Sequence, residues 1–141
     1  DDVNGVNLCE TAAGPTVLHD EQDAHGTAVA SVIAAATNGI GVAGVAPGAR
    51  IMAVRWLVSP YPFGPAYTDC SEDVMAAEAI EYAVDNGADV INASWGGDGM
   101  SSTLSQAVDY ANANGVLIVA AAVVATRRSH LATVGSRRRI R

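Results

Sequence analysis

The sequence predicts an α/β fold built on a parallel sheet. Three observations carry this. Short apolar runs alternate with segments of helical period. Each run is joined to the next by a stretch long enough for a helical crossover. The runs are almost wholly apolar, as strands covered on both faces are.

The elements follow in order. Residues 1–24 are rich in Asp, Asn, Gly and Thr, hold Pro15, and read as loop. "HGTAVASVIAAATNG" predicts a helix from about Gly26 to Ala36, with Val29, Ile33 and Ala36 at helical spacing and Asn38-Gly39 as its stop. "ARIMAVRWLV" predicts a strand near residues 50–58. Residues 59–70 form a loop with three prolines. Ser71 is placed to cap a second helix, with Glu72 and Asp73 facing the positive end of its dipole. Val74, Ala77, Ile80 and Val84 line one face of it, and Gly87 supplies a left-handed exit. "ADVINAS" is the next strand. Ser101 or Ser102 caps a third helix ending near Asn114-Gly115, and "VLIVAAA" is the last strand. Crossovers between parallel strands are expected to be right-handed.

Composition narrows the function. The chain has 141 residues and a net charge of −7, half its residues are hydrophobic, and it contains no lysine. All fifteen carboxylates lie between Asp1 and Asp109, opposed there only by Arg50 and Arg55. Such a body disfavours nucleic acid as a specific partner and suits a secreted or high-salt setting. The longest apolar run, Val116–Ala125, has ten residues, half of the roughly 20 needed to span a bilayer. Cys9 and Cys70 set no framework, and their pairing stays open. From Val123 the pattern changes. Residues 123–141 carry six arginines and no acid, with no clear period, and read as a tail. The chain starts at Asp1 without methionine or a signal-like stretch, as a processed or clipped chain would.

"GIGVAG", residues 39–44, has the glycine spacing of a dinucleotide loop. The context is wrong for one. Such a loop leaves a strand and opens a helix, with an acid about 20 residues on. Here it follows a helix, leads toward a strand, and residues 45–68 hold no acid. An ordinary turn and a cation-binding curl of carbonyls both stay open.

The motifs themselves add a family. His25-Gly26-Thr27-Ala28-Val29-Ala30, "GVAGVAPGARIMAVRWL", "DNGADVINASWGG" and "GVLIVAAA" resemble, in order and spacing, blocks of the subtilisin-like serine proteases, and "DDVNG" resembles a stretch before their histidine. The resemblance covers residues 1–122. It implies a three-layer α/β/α fold with a parallel sheet, here incomplete, and a secreted, extracellular endopeptidase acting on protein or peptide through an acyl-enzyme. It makes His25 the general base, a role imidazole suits because its ordinary pKa lies near 6.5. It places Ser94, Trp95 and Gly96 along the substrate, Trp95 standing where leucine is common. Leu57 lies on the opposite wall, before Pro60, Pro62 and Pro65 and the aromatics Tyr61, Phe63 and Tyr67. It also makes Ala36, Ile40 and Val42 carbonyls and the Asn38 side chain ligands of a structural calcium, weakly held or unfilled because the family completes that site from elsewhere.

The same resemblance marks what does not match. Asp1 and Asp2 fall after the family's orienting aspartate, and Asp20, Glu21 and Asp23 sit in the approach to His25 as weak substitutes. Val123-Val124 stand where the oxyanion asparagine is due, and no Gly-Thr-Ser-Met-Ala block occurs; "GMSST" fits a helix cap. A reading-frame change at Val123, or a fragment lacking both ends, accounts for this. The expectation is a chain that is inactive alone, and either monomeric or prone to aggregate. Rival readings are a non-catalytic peptide-binding remnant and polyanion binding by the arginine tail.

Overall fold

In the computed structural model, residues 5–8, 24–56, 72–96 and 99–122 are described. Leu57, the prolines of 59–70, Ser71, both cysteines, the acids at 20, 21 and 23, and the arginine tail lie outside them. The elements are β1 (Val6–Asn7), α1 (Ala24–Ala34), β2 (Val54–Arg55), α2 (Glu72–Asp85), β3 (Val90–Ala93), α3 (Ser102–Ala113) and β4 (Leu117–Ala120). Helices and parallel strands alternate, which is the predicted α/β class.

The strands pair as β1 with β2 and β3 with β4, both parallel. In the second pair Val90, Ile91, Asn92 and Ala93 face Leu117, Ile118, Val119 and Ala120. Two differences from the sequence reading stand out. Residues 1–24 are not all loop: Val6–Asn7 is a strand, because its N–H and C=O groups find a partner forty-eight positions along the chain, at β2. That pairing is tertiary and leaves no local period. Nor is the β3–β4 ladder buried on both faces. Val90, Leu117 and Val119 are 55%, 59% and 49% exposed. Ile91 and Ile118, on the other face, pack against the helical core.

The core lies between α2, α3 and the covered face of β3–β4. It is built from Ala76, Ala77, Ile80, Val84, Leu104, Ala107, Ala111 and Val116. Ala107 and Ala111 have no exposed surface. Small side chains at the seam let the two helix backbones approach closely, so packing rather than bulk closes it. Val74, expected on the buried face, is exposed instead; Ala76, Ala79 and Ala83 take its place. The buried stripe is set by where α3 lies across α2, which an apolar count along one helix does not reveal.

The helix ends follow local chemistry. Ser101 caps α3, its hydroxyl oxygen accepting from the Leu104 N–H at 3.2 Å. At the exits of α2 and α3 the pattern repeats: Ala88 N–H reaches the Ala83 carbonyl and Val116 N–H reaches the Ala111 carbonyl, both at 3.0 Å. Gly87 and Gly115 make this possible, with φ of +81° and +78°. This is the Schellman closure, and the left-handed residue in it strongly favours glycine.

Candidate active site at the carboxyl end of β3

The site forms where the start of α1 meets the end of β3. His25 is the second residue of α1 and its ring is exposed. Its Nε2 lies 3.0 Å from the Ser94 carbonyl oxygen. Ser94, Trp95 and Gly96 continue directly from β3. The segment that the sequence assigned to substrate therefore abuts the predicted base, although 68 residues separate them. Open α/β sheets place their sites at the carboxyl ends of strands, where backbone leaves the ladder and turns free.

Ser94 is itself held. Its Oγ accepts from the Asn92 side-chain amide at 3.0 Å. The imidazole contacts the Ser94 main-chain oxygen, and the hydroxyl is engaged elsewhere, so Ser94 is not arranged as a nucleophile for His25. Asn92 is the residue the sequence reading missed. Its signal was there: one amide side chain in an otherwise apolar strand. Beside it lies a shallow depression of about 300 Å³ lined by Ala28, Val29, Val32, Ile33, Asn92 and Ser94.

Trp95 is half-buried and packs edge-on against Trp56, with ring centroids 4.9 Å apart and planes at 77°. Both rings also rest against the helical core. The pair ties the residue after β2 to the residues after β3, and such a geometry contributes about 0.5–1.5 kcal/mol beyond area burial. Trp95 thus has a packing role at the rim of the site. Leu57, its expected counterpart across the cleft, lies outside the described residues.

The glycine loop does something the sequence did not foretell. Gly44, Val45 and Ala46 N–H groups bond the carbonyls of Ala35, Val32 and Ile33 at 2.9, 3.0 and 2.7 Å. The loop folds back over the carboxyl end of α1 and satisfies acceptors that the helix leaves open. Gly44 lies so close that a Cβ there would meet Ala35 N at 2.5 Å, Ala34 N at 2.6 Å and Ile33 O at 2.7 Å. The loop thereby anchors the far end of the helix whose near end carries His25.

The expected calcium ligands sit in the same loop. Ala36, Asn38, Ile40 and Val42 are all exposed. Asn38 Oδ1 accepts from the Ile40 N–H at 3.0 Å, and the Ala36 carbonyl accepts from the Asn38 N–H at 3.0 Å. These four oxygens suit calcium in type but fall short of the six to eight it takes. Among the described residues no group of three or more His, Cys, Asp or Glu side chains gathers to complete a metal site. Nor is any described helix long and apolar enough to cross a membrane.

Comparison with known proteins gives the family and the fold. Residues 6–123 match the subtilase family of peptidases, S8. Fervidolysin of Fervidobacterium pennivorans is 46% identical over 107 residues, which make up 75% of this chain and 15% of that protein. Subtilisin E of Bacillus subtilis is 39% identical over 123 residues, 86% of this chain and 30% of that protein. The crystal structure of fervidolysin, described as a keratinolytic enzyme related to subtilisin, superposes with a TM-score of 0.56 at 43% identity, over 65% of this chain and 13% of that one. The chain therefore spans less than a third of these relatives' length. The family match runs over most of the chain, and its helices and parallel strand pairs superpose on a solved relative: the chain belongs to the subtilase family.

Proposed function

We propose that this chain is part of a serine endopeptidase domain in which His25 serves as general base. One observation carries the reading: the His25 imidazole lies against the Ser94–Gly96 segment at the end of β3. A base must stand within reach of the bond it helps to cleave. An extended peptide can pair with the backbone of Ser94–Gly96 as an added strand, which puts the scissile bond beside the ring. The substrate class is thus protein or peptide, and the setting is extracellular, in keeping with the acidic, lysine-free body.

On the same reading the 141-residue chain does not hydrolyse peptides alone. Val123-Val124 replace the Gly-Asn that would supply an oxyanion donor, and loss of such a donor costs about 10²–10³ in rate. No Gly-Thr-Ser-Met-Ala block supplies a nucleophile. The Ala36–Val42 loop binds calcium weakly, as four oxygens without a carboxylate would.

The test is a chimera. Residues 6–122 replace the matching segment of subtilisin E, and casein hydrolysis is measured. Activity that falls by about 10⁶-fold on His25→Ala, the loss typical of removing a subtilisin base, supports the assignment. A folded chimera whose activity ignores His25→Ala refutes it. The isolated chain should resist labelling by a fluorophosphonate; robust labelling refutes its inactivity. Peptide binding without hydrolysis that survives His25→Ala would favour a binding remnant instead.

A further inference from the structure

We infer that Asn92 is a positioning residue for His25, acting through Ser94 to hold the imidazole with Nε2 as a hydrogen-bond donor. The inference deepens the protease reading and takes from it only the role of His25 as base.

The chemistry runs from the acceptor. A main-chain carbonyl oxygen only accepts, so a ring nitrogen bonded to the Ser94 carbonyl carries the proton. In the neutral ring the basic lone pair then lies on Nδ1. A triad uses the other tautomer: a carboxylate takes the Nδ1–H, and Nε2 receives the nucleophile's proton. In the geometry seen here His25 is parked. Its Nε2 must leave the Ser94 carbonyl before it can accept a proton.

The parking place is built. Asn92 is fixed in the β3–β4 ladder opposite Val119. Its amide donates to Ser94 Oγ at 3.0 Å, two residues on, where the chain has just left the strand. That bond restrains the rotation of the Ser94 segment and hence the aim of its carbonyl at His25. The linkage runs from ladder to amide, hydroxyl, carbonyl and ring. His25 itself stands on α1, whose other end is held by the Gly44–Ala46 loop.

The experiment uses the full 141-residue chain, labelled with ¹⁵N, at a pH of about 8.5, above the ordinary imidazole range. Long-range proton–nitrogen correlation spectra report the tautomer, and His25→Gln assigns the signal. The expected result is an Nε2–H ring with a visible, slowly exchanging proton. Asn92→Ala should speed exchange of that proton about five- to tenfold, the factor that one net hydrogen bond corresponds to. Asn92→Asp should restore slow exchange, because its carboxylate accepts from the Ser94 hydroxyl. If Asn92→Ala fails to fold, Ser94→Ala removes the other end of the same bond and should give the same loss. An Nδ1–H ring, an Nε2–H proton too fast to see in the natural sequence, or unchanged exchange in the folded variants overturns the inference. A purely structural Asn92 would lower stability without altering the ring's exchange. Hydrolysis by the subtilisin E chimera reads the protease assignment separately, so either result can fail while the other stands.

Discussion

Gly44→Ala provides the sharpest test of how α1 is held. The new methyl would sit 2.5–2.7 Å from three backbone atoms of residues 33–35, closer than a side-chain carbon tolerates. Backbone cannot rotate aside as a side chain does, so the loop must lift. Lifting it endangers three bonds: Gly44 to Ala35, Val45 to Val32 and Ala46 to Ile33. At about 0.5–1.5 kcal/mol net for each, their loss amounts to about 1.5–4.5 kcal/mol. Replacing glycine stiffens the unfolded chain and returns about 0.4–1 kcal/mol. The balance is a destabilisation of about 0.5–4 kcal/mol. Gly48→Ala is the internal control, since nothing lies within 4 Å of a Cβ there and its φ is not positive. It should be neutral or stabilising by up to about 1 kcal/mol. Urea unfolding followed by circular dichroism measures both. Amide hydrogen exchange at residues 44–46 shows whether the loop has lifted. A Gly44→Ala chain as stable as the natural one, with those amides still protected, would refute the close approach.

Three further outcomes follow from the packing. Tyr110 donates its hydroxyl to Asp85 at 2.6 Å, and that bond, then the Asp85 charge, raises the phenol above its ordinary pKa of 10. The folded state favours the protonated phenol, so this contribution is full below pH 10 and is lost as pH climbs through the raised value. Tyrosinate absorbance should show one late-titrating phenol that moves down in Asp85→Asn. Ser101→Ala removes the α3 cap and should cost about 0.5–2 kcal/mol in urea unfolding, with Ser101→Gly costing less. Trp95→Leu dissolves the edge-on pair with Trp56 and should cost about 0.5–1.5 kcal/mol for that geometry alone, and more with the lost area. Trp56 fluorescence should shift to the red; an unchanged spectrum would count against the contact.

Local chemistry is legible in this sequence because it needs only neighbours. Ser101, Gly87 and Gly115 announced the ends of α2 and α3, since caps and left-handed exits depend on a few adjacent residues. Helix α1 runs Ala24–Ala34 rather than Gly26 to Ala36 and stops short of the predicted Asn38-Gly39, because the Gly44–Ala46 loop closes its end. The periodic runs announced β2, β3 and β4 for the same reason. His25 and Ser94–Gly96 were legible as motifs, but their meeting was not. It depends on the strand–helix geometry that brings positions 25 and 94 to one corner. Asn92 was visible only as an amide in an apolar strand, and its partner had to be seen. The strand at Val6–Asn7 and the outward face of Val90, Leu117 and Val119 were hidden likewise. Pairing across dozens of residues and coverage of a sheet face are relations between elements. The glycine loop makes the same point most plainly. Its spacing left a turn and a cation-binding curl both open, and its fold-back onto α1 came from bonds that no local pattern announces. The sequence alone determined the three helices and the strands β2 to β4, because their apolar periods are set within a few residues. Only the tertiary structure decided which polar groups meet, because a hydrogen bond is decided by ångströms in space and not by distance along the chain.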